Sequence, residues 1–311
     1  MNKRIKEVII RTLSGILFIA LMVVAILYSP ILFVTLFSLI LAGSLWEFYK
    51  LRGVKDFWVR YVLLILFTLL FANFALTVFF SENWGASNND ICSIPITPIY
   101  ITIGILLFVL IISILSLYLI IKLLQGKKKS MKDVVFSLFI LPAFYILPFF
   151  CSYDKSEGSQ FLLSLFIIIW AGDVGAYCIG SLLGREPHGH RLAPKISPNK
   201  SWEGVFGGVL FALIATLILL RLGWFNVFGS FGISDSWRVI IVSLVFAFIF
   251  YCSAIVGDLL ESMIKRGAGV KDSGIIMPGH GGFLDRFDSM LVAMPTAAVF
   301  IALYYILFKL V

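Results

Sequence analysis

The sequence predicts an all-α, polytopic membrane protein with about nine transmembrane helices, and three observations predict it. Sixty percent of the 311 residues are apolar and only 14% are charged, where a soluble chain carries roughly a quarter charged. Apolar runs of about 18 or more residues, each long enough to cross a bilayer as a helix, recur along the whole length. Lys and Arg alternate between successive connecting segments, as they do in membrane proteins oriented by their basic loops.

The expected spans are residues 11–28, 31–47, 58–80, 98–121, 134–150, 160–183, 202–220, 237–257 and 283–308. The first follows a basic start, Lys3, Arg4, Lys6 and Arg11, with no small-residue cleavage site, and reads as an uncleaved anchor. With the N-terminus in the cytoplasm, inside segments hold 21 of the 25 Lys and Arg. The outside keeps Lys155, Arg221, Arg238 and Lys309, and collects Glu82, Asp90, Asp154, Glu157 and Asp235. The C-terminus is then outside. The net charge of +8 reflects topology and gives no indication of nucleic-acid binding; Lys127, Lys128 and Lys129 read as topology determinants, assisted by anionic lipid.

Four cysteines, Cys92, Cys151, Cys178 and Cys252, show neither paired spacing nor a CxxC, so zinc and a disulfide framework are not implied. No linker, low-complexity tail or internal repeat divides the chain. It reads as one integral membrane domain, 1–311, in which 1–150 supplies scaffold helices and 160–311 a catalytic half.

The chemistry lies in that second half. Asp173, in Trp170-Ala171-Gly172-Asp173-Val174-Gly175, is a carboxylate inside a hydrocarbon-length run. Such a group faces a protein interior or a wet cavity, as a functional acid or as a partner for a buried cation. At the end of the eighth span, Asp258, Glu261, Ser262 and Lys265 fall on one helical stripe. A site would look like this, and so would a solvated face with Glu261 paired to Lys265. Arg266, Lys271 and a glycine-rich loop follow, with His280, Gly281 and Gly282 leading into Asp285, Arg286 and Asp288. Glycines let backbone N–H groups approach an anion, and Asp285 and Asp288 stand one turn apart at the start of the ninth span. Hard oxygen donors of this kind suit Mg²⁺, which takes one or two carboxylates beside substrate phosphates. Upstream, Ser197-Pro198-Asn199-Lys200-Ser201 reads as a helix start, with a hydroxyl cap and a proline in the first turn. It is either a phosphate contact or a capped juxtamembrane helix. Acids, cations and a glycine loop at the cytoplasmic boundary fit phosphoryl or nucleotidyl transfer.

Residues Ser262 through Asp288, SMIKRGAGVKDSGIIMPGHGGFLDRFD, resemble the signature of the phosphatidate cytidylyltransferases, also called CDP-diacylglycerol synthases. The segments Asp173 to Tyr177 and Ser197 to Gly204 resemble the family as well. The likeness covers roughly residues 160–290, with Asn199 standing where the family often has a second Lys and Arg185 to Pro194 forming an unusual His-containing loop. The resemblance implies an enzyme that joins CTP and phosphatidic acid into CDP-diacylglycerol and pyrophosphate, within a bacterial inner membrane and on its cytoplasmic face. It implies Mg²⁺ held by Asp258 and Asp285, with a second cation compatible, and a homodimer. Lys265 and Asp288 would join Asp258 and Asp285 in catalysis. Substrate would be held by Asp173, Ser197, Lys200, Ser201, Ser262, Arg266, Lys271, His280, Gly281, Gly282 and Arg286. Two other readings use the same residues: a CTP-dependent lipid kinase such as a dolichol kinase, which transfers the γ-phosphoryl group, and an ion or phosphate transporter, whose acids would step across the bilayer.

Overall fold

The computed structural model describes residues 3–53, 61, 64–72, 75, 140–141, 143–148, 150–151, 157–184, 190–225, 228, 236–274 and 281–309. The span expected at 98–121, the lysines at 127–129, Cys92 and His280 lie outside the described residues, and the spans expected at 58–80 and 134–150 are described in part. The chain divides into two units, Met1–Ser152 with Asp272–Asp285, and Tyr153–Lys271 with Arg286–Val311.

The first unit opens with α1 (Lys3–Tyr28) and α2 (Pro30–Leu51). Their break is a local event: Ser29 caps α2, its hydroxyl accepting from Leu32 N–H at 3.2 Å, and Pro30 occupies the first turn, where its missing N–H costs nothing. At the other end Gly53 takes φ of +62°, its N–H donating to Lys50 O, which is how a left-handed residue closes a helix. Phe33, Phe37, Phe48, Tyr49, Phe67, Phe71 and Phe144 are buried in this unit. The Tyr145 hydroxyl donates to Phe67 O at 3.2 Å, and the free, buried Cys151 thiol donates to Ile26 O.

The second unit contains α3 (Glu157–Leu183), strands β1 (Arg191–Ala193) and β2 (Ser197–Ser201), α4 (Trp202–Arg221) and α5 (Ser236–Gly267). A four-residue helix, α6 (Leu284–Phe287), has its first two residues in the first unit and its last two in the second, and precedes α7 (Met290–Lys309) of the second unit. At one end of the unit the rings of Phe225, Phe228, Phe246, Phe300 and Tyr304 interlock at centroid separations of 4.9–6.2 Å. At the other end α3 and α4 meet along glycines. A Cβ on Gly175 or Gly207 would run into the facing helix, and one on Gly180 would sit 3.3 Å from Gly204 Cα. Small residues permit this approach, as is usual between membrane helices.

Among the described residues five helices are long and apolar enough to cross a membrane: α2, α3, α4, α5 and the stretch Leu284–Tyr304. The apolar part of α1, Thr12–Tyr28, is shorter. The protein is thus a multi-pass membrane protein, predominantly helical as expected, with two local departures. Ser197 to Ser201 does not begin a helix but forms β2, antiparallel to β1 with Arg191 opposite Ser201 and Ala193 opposite Ser197. Pro198 disfavours helix for the residue before it, and a two-stranded ribbon offers edge positions that ask for no N–H. The cap falls four residues later, on Ser201, whose hydroxyl accepts from Gly204 N–H at 3.1 Å. The ninth span is also interrupted, stopping at Phe287 and resuming at Met290, so Asp285 and Asp288 do not share one regular helix. By contrast α5 runs 32 residues, about 48 Å at 1.5 Å per residue. That exceeds the roughly 30 Å hydrocarbon core, so its final turns carry Asp258 to Arg266 as one continuous helix.

Candidate active site

The polar end of the second unit encloses a cavity of about 610 Å³, within the range of small-molecule sites. Its walls bring together Asp173 from α3, Ser197, Lys200 and Ser201 from β2 and the start of α4, and Tyr251 and Asp258 from α5. Asp173, the acid read as facing a cavity or an interior, faces this cavity. Its carboxylate is hydrogen-bonded to the Tyr251 hydroxyl. The Tyr251 ring fills the space left by two missing side chains, at Gly172 on α3 and Gly208 on α4.

Asp258 is held on both oxygens. Lys200 Nζ lies 2.5 Å from Oδ2, and the Ser262 hydroxyl donates to Oδ1 at 3.4 Å. Asp173, Asp258 and Asp288 are close enough to interact electrostatically. Asp288 reaches this neighbourhood because α5 carries Gly257 where a Cβ would lie 2.6 Å from Asp288 O and 2.9 Å from Ser289 O. The Asp288 carboxylate itself accepts from Ser289 N–H at 2.6 Å. The start of α4 lines the cavity through Ser201, Gly204 and Val205, so the positive end of that helix dipole faces it, an arrangement that favours anions.

Other candidates make further contacts. Lys265 pairs with the fully buried Glu261 one turn before it, the intrahelical pairing weighed from the sequence. Arg266 donates to two backbone carbonyls, Ile196 O at 3.2 Å and Val270 O at 3.0 Å, and so ties the β1–β2 turn to the end of α5. Lys271 and Arg286 are exposed, and Arg286 lies close enough to Asp173 to interact with it electrostatically. His190, in the loop singled out as unusual, binds Glu203 through its ring at 2.8 Å.

Asp285, Gly281 and Gly282 belong to the first unit. There Asp285 Oδ2 accepts from Ser273 N–H at 2.8 Å and Gly282 N–H at 2.8 Å, and lies 2.9 Å from the Ser273 hydroxyl. Gly281 adopts φ of +84°, and a Cβ there would meet the same carboxylate. Three residues that sequence reasoning missed stand out: Glu47, Gly257 and Tyr251. Glu47 carried the signal used for Asp173, an acid in an apolar run. Nothing local marks Tyr251 or Gly257, whose importance arises from what other helices bring against them.

Among the described residues no three Asp, Glu, His or Cys side chains converge into a ready-made metal cage. Magnesium does not need one, since one or two carboxylates and the substrate's phosphates complete its shell. The oxygen-only donors at the cavity therefore fit that ion and do not fit zinc.

Fold and site together define a multi-pass helical membrane protein with an acid-, lysine- and serine-lined cavity against a helix N-terminus. The chain belongs to the cytidylyltransferase family, whose model matches residues 9–304. It is 39% identical over 173 residues to the phosphatidate cytidylyltransferase of Staphylococcus saprophyticus, covering 55% of this chain and 60% of that protein. It is 42% identical over 149 residues to the phosphatidate cytidylyltransferase of Haemophilus influenzae, covering 48% of each. The chain thus spans between about half and three-fifths of the length of these relatives.

Proposed function

We propose that the chain transfers CMP from CTP to phosphatidic acid, releasing pyrophosphate and leaving CDP-diacylglycerol in the membrane, with the site on the cytoplasmic face of a bacterial inner membrane. The observation that carries this reading is the cavity, where Asp173, Asp258, Lys200 and Ser201 meet the N-terminus of α4. Family membership supports the cytidylyl chemistry. The flanking surface supports a lipid co-substrate, because Val174, Tyr177, Leu182 and Leu183 on α3 and Phe206 on α4 are exposed apolar side chains, suited to acyl chains.

In this reaction an oxygen of the lipid phosphate attacks the α-phosphorus of CTP, and the bond from that phosphorus to the pyrophosphate breaks. The nucleophile is ionised near neutral pH, so the protein's work is positioning and charge compensation, with no strong general base. Lys200 contributes a cation at the cavity, and Ser197 and Ser201 contribute hydroxyls. Asp173, oriented by Tyr251, and Asp258, oriented by Lys200 and Ser262, supply fixed carboxylates. Magnesium, when bound, would neutralise charge on the phosphates; Asp258 is the ligand this cavity offers, and the resemblance gives the same role to Asp285. The resemblance also supports a homodimer.

The test is product analysis with purified protein, phosphatidic acid, and CTP labelled at the α-phosphorus, with and without magnesium. Label appearing in the lipid together with free pyrophosphate supports the reading. Release of labelled CDP would assign γ-phosphoryl transfer instead.

A further inference from the structure

Glu47 lies on α2, in the half of the chain read from the sequence as scaffold, and only 2% of it is exposed. A carboxylate that deeply buried is costly unless its oxygens are satisfied. Its partners are 226 to 237 residues away: Oε1 accepts from Phe283 N–H at 3.0 Å, and Oε2 accepts from Leu284 N–H at 2.9 Å and Ser273 O–H at 2.8 Å. The chain around it is shaped to admit it. A Cβ on Gly274 or Gly282 would overlap the Glu47 carboxylate, and Gly43, one turn earlier on α2, leaves room for the Phe283 ring. Gly274 and Gly282 were read from sequence as room for an anion's approach; here the anion they admit is the protein's own glutamate.

Ser273 joins this carboxylate to a second one. Its hydroxyl lies 2.8 Å from Glu47 Oε2 and 2.9 Å from Asp285 Oδ2, while its N–H is bound to Asp285. Glu47 therefore binds the chain on both sides of the Asp285 carboxylate's own contacts, at Ser273 and at Phe283–Leu284. We infer that Glu47 is a positioning residue for cytidylyl transfer, acting through Ser273 and through Phe283–Leu284 to set the Asp285 carboxylate rather than by touching substrate. The inference rests on the proposed reaction.

Glu47→Gln tests it. The amide keeps one acceptor oxygen but turns an NH2 toward groups that are themselves donors, so at least one N–H or O–H loses its partner. In the full-length protein in nanodiscs, hydrogen exchange across 281–285 should accelerate and kcat should fall tenfold or more. The KM for CTP should change less than about threefold, and Glu47→Asp, which retains both oxygens, should recover part of the rate. A Glu47→Gln protein with wild-type kcat, or with unchanged exchange in that segment, overturns the inference. If Glu47→Gln fails to insert, Ser273→Ala removes only the shared hydroxyl, and unaltered exchange and kcat there overturn it equally. Absence of CDP-diacylglycerol from the unmutated protein would instead count against the reaction, and is read before any variant.

Discussion

Replacing Gly257 with alanine adds one methyl group at the point where α5 meets the 288–289 turn, and the structure sets the size of the effect. The new Cβ would lie 2.6 Å from Asp288 O, 2.9 Å from Ser289 O and 3.2 Å from Ser289 C. All three are backbone atoms and cannot rotate aside. Restoring an ordinary carbon–oxygen contact of about 3.3 Å separates helix and turn by roughly 0.4 to 0.7 Å, and overpacking of this kind typically costs about 1–3 kcal/mol. The neighbouring residue on α5 is Asp258, and the turn carries Asp288, so the displacement falls on the carboxylates assigned to the site. Misplacement by about 1 Å can cost on the order of 100-fold in rate; at half that distance a 10- to 100-fold loss of kcat is expected, with assembly into the membrane retained. Gly267→Ala on the same helix is the control, because a Cβ there meets nothing within 4 Å and alanine favours the helix. Rates would be measured as CDP-diacylglycerol formed in mixed micelles, and stability by thermal inactivation of the same preparations. If Gly257→Ala matches Gly267→Ala in both, the packing of α5 on this turn does not position the site.

Other substitutions probe the remaining contacts. Tyr251→Phe keeps the ring between Gly172 and Gly208 but removes the hydrogen bond to Asp173, worth about 1.5–3 kcal/mol where a charged group is involved; kcat/KM should drop about 10-fold or more, and unaltered kinetics would make Asp173 a structural acid. Asp258→Asn should lower turnover by orders of magnitude and raise the magnesium concentration needed for half-maximal rate, and Asp285→Asn should do the same; near-normal magnesium dependence in either removes that residue from the ligand set. Ser201→Ala deletes the cap of α4 and should cost about 1 kcal/mol, read as earlier thermal inactivation; a wild-type inactivation profile would show that Gly204 N–H finds another acceptor.

Much of this was legible because it depends on neighbours in sequence. Period and length identified α2, α3, α4 and α5 to within a few residues at most of their ends, since a hydrocarbon-length apolar run has few alternatives to helix. Asp173 was legible for the same reason, as a charge where charges are expensive. The stripe of Asp258, Glu261, Ser262 and Lys265 followed from helical geometry, and the Glu261–Lys265 pairing was among the readings it allowed. What failed was also local: Ser197-Pro198 satisfies the start rule for a helix, yet the chain at 191–201 folds back on itself and the hairpin delays the helix to Trp202. No rule about caps registers a partner strand.

The illegible part has a common physical cause. The stretch from Ser262 to Asp288 is continuous in sequence, yet its residues do not act as one piece. Ser262 and Lys265 pack with Asp258 and Glu261 on α5, whereas Ser273, Gly282 and Asp285 are organised by a glutamate more than two hundred residues away. A glycine-rich loop read alone suggests an approach to phosphate, because missing side chains are all the sequence records. Which oxygen fills the gap is decided by tertiary structure, and at Gly274 and Gly282 it is Glu47. The signal that identified Asp173, an acid within an apolar run, applies unchanged to Glu47 in Leu45-Trp46-Glu47-Phe48. Applied evenly along the chain, it also picks out Glu47, the carboxylate that accepts hydrogen bonds from Ser273, Phe283 and Leu284 beside Asp285.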